Sequence, residues 1–140
     1  MKVFKYKSTR LCTIPINRYK INWEKAPSKG QLELQKFLYP YWRNYLVLRE
    51  MRVPGTLWRF DLVNCSKRVI IEYSPLSHHN NFNEFFHKTR AGYSRSLKAD
   101  LSKYEWAVEQ NGFKLAEITE EDLPNLSVNF FLEKFGINII

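Results

Sequence analysis

Cysteine is scarce in this chain. Cys12 and Cys65 are the two present and no Cys-x-x-Cys pair occurs. There is no disulfide framework to read, and a reducing, intracellular setting, cytoplasmic or nucleoid-associated, is the expectation. Long apolar runs are missing too, and none approaches the roughly 18 residues of a membrane span. Met1-Lys-Val-Phe-Lys-Tyr-Lys7 carries the charge of a signal n-region, but no apolar h-region follows it, so no secretory leader is expected. No internal repeat and no low-complexity tract interrupts the sequence. Acid is nearly absent from the first thirty residues. Glu24 stands there against eight Lys or Arg, a balance of +7 within a chain whose net charge is +8.

What remains is aromatic and basic. Ten Phe, eight Tyr and four Trp, in 140 residues that are 44% apolar, suffice for one packed domain without covalent staples. The positive excess favours a polyanionic partner, most often nucleic acid. Its placement gives residues 1–27 two readings. They are a solvated basic tail, or an arm whose Lys5, Lys7 and Arg10 follow a phosphate backbone.

Periodicity supplies the elements. Ser28 suits the N-cap of a helix from about Gly30 to Arg43, with Leu34, Phe37, Leu38 and Tyr41 at 3–4 spacing; Pro40 is expected to kink or end it. Tyr45 to Val53 reads as a strand closed by Pro54-Gly55. Two further strands, at about 56–63 and 68–74, are rich in β-branched and aromatic residues and are joined by Asn64-Cys65-Ser66-Lys67. A short helix is expected over 82–90, and a second from about Leu97 to Gln110, stopped at Asn111-Gly112. Phe113 to Ile118 reads as a strand, and Val128 to Phe135 as a final helix whose Phe130, Phe131 and Phe135 belong to the core. Residues 1–26 read as irregular, apart from a short strand near Leu11–Ile16 that Pro15 restricts to an edge. The helical crossover is long enough to join parallel strands. The expected fold class is therefore α/β, a mixed sheet with helices on its faces.

Asp61 and Glu72 stand out against these apolar strands. The hairpin register can bring both carboxylates to one end of the sheet. A bare charge buried there costs several kcal/mol, so each needs a partner or a ligand. A hard cation such as Mg²⁺ relieves repulsion between two carboxylates, filling its shell with phosphate and water. The alternatives are a solvent-facing Asp61 and a cross-strand ion pair of Glu72 with Arg59 or Arg68.

Three segments carry a resemblance. They are Arg59-Phe-Asp61-Leu-Val, Val69-Ile-Ile-Glu72-Tyr-Ser-Pro-Leu-Ser-His78, and Asp100-x-x-Lys103-x-x-x-Ala107-x-x-x-x-Gly112-Phe-x-Leu-x-x-Ile118. In order and spacing the chain resembles the PD-(D/E)xK nuclease superfamily. It is most similar there to the very-short-patch-repair-like small endonuclease domains, including those of phage homing endonucleases. The resemblance implies a single-domain αβββαβ restriction-endonuclease-like core over 28–122, preceded by the basic arm 1–27 and followed by a C-terminal helical tail, 123–140. It implies a metal-dependent DNA endonuclease, with Mg²⁺ or Mn²⁺ on Asp61 and Glu72 and with Glu33 assisting. His78, beside His79, would aid proton transfer or contact the phosphate. Lys88, Arg90, Arg95 and Lys98, interleaved with Tyr93, would hold DNA, with Lys103 and Asp100 near the site.

The chain departs from that family at three places. Ser74 stands where Lys is usual, Pro75 where Gly is, and Phe60 where Pro is. Two other readings therefore stand beside the nuclease: a catalytically degenerate nucleic-acid-binding module on the same fold, and a protein-interaction or assembly domain. The expected partner is DNA. A chain this short leaves little room for a separate sequence-reading domain, so specificity is expected from the arm, from DNA shape or from a second copy in a homodimer, with a larger targeting partner as a further source.

Overall fold

The computed structural model describes residues 1–75 and 101–140. Its centre is a four-stranded sheet in the order β3-β4-β5-β6, with β3 Val47–Arg52, β4 Arg59–Asn64, β5 Val69–Ser74 and β6 Lys114–Thr119. The first three strands run antiparallel, and β6 pairs parallel to β5 from Val69↔Lys114 to Ser74↔Thr119. This is the mixed α/β sheet the sequence implies. Asn64 Oδ1 accepts the Lys67 N–H at 2.9 Å and closes the β4–β5 turn, where Arg68 takes a left-handed φ of 54°.

Both faces of the sheet are covered, and apolar residues of its strands are buried on each side. Against one face lies α2, Lys29–Trp42, begun where the Ser28 side chain accepts from Gln31 N. Leu34, Leu38 and Trp42 of α2 pack with Val47, Leu62, Ile71 and Ile118. Pro40 sits in the last turn of α2 and does not end it. A proline this late removes one hydrogen bond, and the 3–4 apolar stripe continues past it to buried Trp42. At its other end α2 lies hard against β5. A Cβ on Gly30 would meet Tyr73 Oη at 1.9 Å, so a larger residue there would have to displace the end of the Tyr73 side chain.

The C-terminal residues seal the same face. Ser127 caps α3, Val128–Phe135, and Gly136 ends it at a φ of 67°. Of the three phenylalanines, Phe131 is fully buried, while Phe130 and Phe135 pack partly buried against it. Beyond α3, Ile137 and Ile139 are buried and Ile139 O accepts from Trp42 Nε1 at 2.8 Å.

The opposite face is covered by the residues read as an irregular arm. β1, Lys2–Phe4, pairs antiparallel with β2, Leu11–Thr13. Val3 and Ile14 are buried with Met51, Phe60, Ile70, Trp106 and Phe113. A single helical turn, α1, Ile16–Tyr19, follows. Lys20 then bridges Leu48, and Ile21 N donates to Val47 O, so the chain covers the otherwise open edge of β3. Residues 101–104 are helical and lead into a wider π-helical stretch, Glu105–Gln110, that buries Trp106 and Ala107. The short helix expected at 82–90 lies outside the described residues. No helix among the described residues is long and apolar enough to cross a membrane.

Candidate functional site

Asp61 and Glu72 do come together, through backbone geometry. The β4–β5 ladder runs from Asn64↔Val69 to Leu62↔Ile71. Beyond it each carboxylate takes a backbone N–H. Asp61 N donates to Glu72 Oε1 at 3.2 Å, and Tyr73 N donates to Asp61 Oδ2 at 2.7 Å. The acids thus act as acceptors where the two strands part, consistent with the need to satisfy every buried donor. The pleat also slips at this level. Phe60 and Val63 share one face, Leu62 the other, and on β3 Glu50, between the Arg49↔Leu62 and Met51↔Phe60 pairs, has a φ of 54°. A left-handed glutamate in mid-strand is uncommon and costs energy.

Lys103 completes the cluster. Its Nζ lies 2.9 Å from Glu72 Oε2, with both side chains largely shielded, and 4.8 Å from the Phe60 ring centroid. Burial pushes Asp61 up to about 7; the Glu72 charge adds to the rise and the Tyr73 N–H opposes it. Burial also raises Glu72, against the pull of Lys103. Asp122 shows the opposite balance. Burial would raise it, but the Thr119 N–H and Lys134, 3.0 Å away, hold it below the usual carboxylate range. The space beside the Asp61–Glu72 pair, lined by Phe60, Glu72, Lys103, Leu115 and Glu117, is about 60 Å³.

This geometry corrects the metal expectation. Among the described residues no group of three or more His, Cys, Asp or Glu side chains could hold a metal ion. Asp61 and Glu72 are satisfied instead by two backbone N–H groups and one ammonium. The Mg²⁺ or Mn²⁺ cofactor, the metal-dependent endonuclease activity and the magnesium-binding site expected from the resemblance are therefore withdrawn. Glu33 does not join the pair. It is exposed on α2, and its charge, after burial and Glu120, raises the Tyr73 phenol. Neither Arg59 nor Arg68 pairs with Glu72; the Arg68 guanidinium donates to Asn111 O at 2.6 Å. His78, His79, Lys88, Arg90, Tyr93, Arg95, Lys98 and Asp100 lie outside the described residues.

The N-terminal cations sit on a fixed scaffold. Lys5, Lys7 and Arg10 are exposed on the loop joining β1 to β2. Gln110 Nε2 donates to Lys5 O at 2.7 Å and Ser8 O at 2.9 Å, and Gln110 Oε1 accepts from Lys7 N. Asn111 Oδ1 accepts from Phe4 N and Trp106 Nε1 donates to Phe4 O, each at 2.7 Å. The Lys5 stem lies against Gly55, whose φ of 84° and lack of a Cβ permit the approach. Beside that turn Arg18 and Arg52 line a pocket of about 260 Å³ with Cys12, Tyr19 and Pro54. Sequence reasoning missed Gln110, Asn111, Arg52 and Glu50. None of the four carries a local signal of its role.

No family model matches the chain, and no curated protein or solved structure matches it.

Proposed function

We propose that this chain is a nucleic-acid-binding module that engages the phosphate backbone through its N-terminal face and does so without a bound metal. The observation that carries the reading is the anchored β1–β2 hairpin. Lys5, Lys7 and Arg10 stand in water on a loop whose backbone is bonded to Gln110 and Asn111. A cation on a fixed loop loses less conformational freedom on binding than one on a tail. Arg18 and Arg52, around the neighbouring pocket, extend the same face with guanidiniums suited to phosphate. DNA is the first partner to test.

On this reading the core is a restriction-endonuclease-like sheet, related to the PD-(D/E)xK superfamily, whose acid pair now serves the fold. Ser74 and Pro75, in place of the family's Lys and Gly, support that assignment. Duplex DNA binding, followed by anisotropy across a salt series, tests the proposal. Wild type should bind with a steep salt slope. A triple variant, Lys5→Gln with Lys7→Gln and Arg10→Gln, should lose about 2–3 from that slope, roughly 0.9 per phosphate contact. Equal slopes in the two proteins would remove the hairpin from the interface.

A further inference from the structure

A groove of about 950 Å³ opens between the segment after α1 and the exposed side of α2. It is lined by Ile21, Trp23, Leu32, Lys36 and Tyr39, with Glu24 among the polar residues beside them. Its size falls at the upper end of the roughly 300–1,000 Å³ of small-ligand clefts. We propose that this groove takes unstacked bases of a single-stranded nucleic acid, with Trp23 and Tyr39 as the stacking surface. The inference rests on the nucleic-acid reading above and names the form of the polymer.

Three observations carry it. Trp23 and Tyr39 meet edge to face, with ring centroids 5.6 Å apart and planes at 78°, and Tyr39 is 44% exposed. An edge-to-face pair fixes both rings, so little side-chain freedom is lost when a base arrives. The wall is also held from beneath. Gln35, fully buried, donates from Nε2 to Trp23 O at 3.2 Å and Lys25 O at 3.0 Å. The Arg49 guanidinium also donates to Lys25 O. These bonds hold the Trp23 segment in place beside α2.

The third observation is charge. Lys36 lies in the groove, and Lys20, Lys25 and Lys29 are exposed along the same stretch of chain. Glu24 is the one acid in the first thirty residues, and it lines this groove. A carboxylate there disfavours a phosphate inside the groove. It can accept from a base's exocyclic amino group, while the lysines meet the backbone outside. Aromatic rings with surrounding cations form the usual platform for single strands. Bases in a duplex are already stacked and cannot offer their faces to it.

The test compares a fluorescein-labelled single strand of mixed sequence, rich in cytosine and adenine, with the duplex it forms with its complement, by anisotropy at low salt. Tyr39→Leu should weaken single-strand binding about 10-fold, within the range that loss of one stacked base produces, and leave duplex binding unchanged. Lys36→Gln should lower the salt slope for the single strand alone. Because Tyr39 is exposed, Tyr39→Leu tests contact and not folding. Single-strand affinity that survives Tyr39→Leu but falls in the Lys5, Lys7, Arg10 triple variant would overturn the groove and leave the hairpin interface standing. Equal losses on single strand and duplex would also overturn it. Wild type that binds neither probe would overturn both readings.

Discussion

Asp61 and Glu72 are acids drawn out of water at the point where β4 and β5 part, whereas Lys5, Lys7 and Arg10 are cations held in water on a hairpin loop. The same fold manages the two sets oppositely. Around the acids, two backbone N–H groups and Lys103 bond the carboxylates themselves, and the space beside them is about 60 Å³. Around the hairpin, Gln110 and Asn111 bind the backbone carbonyls and amides and leave the charged heads exposed. The comparison separates charge that belongs to the fold from charge available to a partner. What decides is whether the neighbours bond the side chain or the main chain beneath it.

The hairpin side of the comparison breaks most severely at Trp106. This ring is fully buried, stacks near Phe60 and Phe113, and holds Phe4 O. Trp106→Ala should cost about 3–5 kcal/mol in urea unfolding, and at concentrations where the variant is still folded it should bind DNA more weakly. A loss below about 1 kcal/mol would mean the hairpin is not packed as described.

On the acid side, Lys103→Met leaves Glu72 without its cation. A fully buried pair broken in this way loses about 3–5 kcal/mol. Since both side chains here retain some exposure, about 2 kcal/mol is expected at pH 8, shrinking as pH falls and Glu72, whose affinity for a proton is raised by burial, becomes neutral. A pH-independent loss would point to lost packing on Phe60 instead.

Asp61 sets a related slope. Its folded value of about 7 lies above the ordinary 3.8, so between those values the folded chain holds a proton that the unfolded chain has released. The stability it contributes is full below pH 3.8 and is lost as pH rises through about 7. Between pH 5.5 and 8, wild type should lose roughly 2 kcal/mol relative to Asp61→Asn, at about 1.4 kcal/mol for each pH unit up to 7. Parallel stability curves for the two proteins would show that Asp61 is ionised throughout.

The smallest effect is expected at Asn111. Its side chain bonds Phe4 N and Trp106 O, and Asn111→Ala should cost about 1–2 kcal/mol. Limited proteolysis should cut the 5–10 loop faster in that variant; an unchanged cleavage rate would remove Asn111 as an anchor.

Much of the core was legible in the sequence because its signals are local. Ser28 and the 3–4 stripe gave α2, β-branched and aromatic runs gave β4 and β5, turn residues bounded β3 and β6, and the hairpin register put Asp61 beside Glu72. The N-terminal hairpin was not legible, because β1 and β2 are three residues each and their anchors lie about a hundred residues away at Trp106, Gln110 and Asn111. The slip at Glu50 was hidden for a similar reason, since no residue type there demands a left-handed φ. The metal expectation failed because sequence displays the acids and conceals the donors. Nothing in Val-Ile-Ile-Glu-Tyr shows that the Tyr73 N–H will turn toward Asp61, or that Lys103 will reach Glu72.

The central claim, that the acid pair is occupied by the fold while the hairpin cations serve a polyanion, meets its most direct test in one titration. Wild type is titrated onto duplex DNA across a salt series, in EDTA and in Mg²⁺, and the same samples are then run for strand scission. The account predicts salt-dependent binding in EDTA, binding in Mg²⁺ that is weaker only as far as the cation competes for the phosphates, and intact strands in each. Scission that requires the cation and disappears in Asp61→Asn would contradict it.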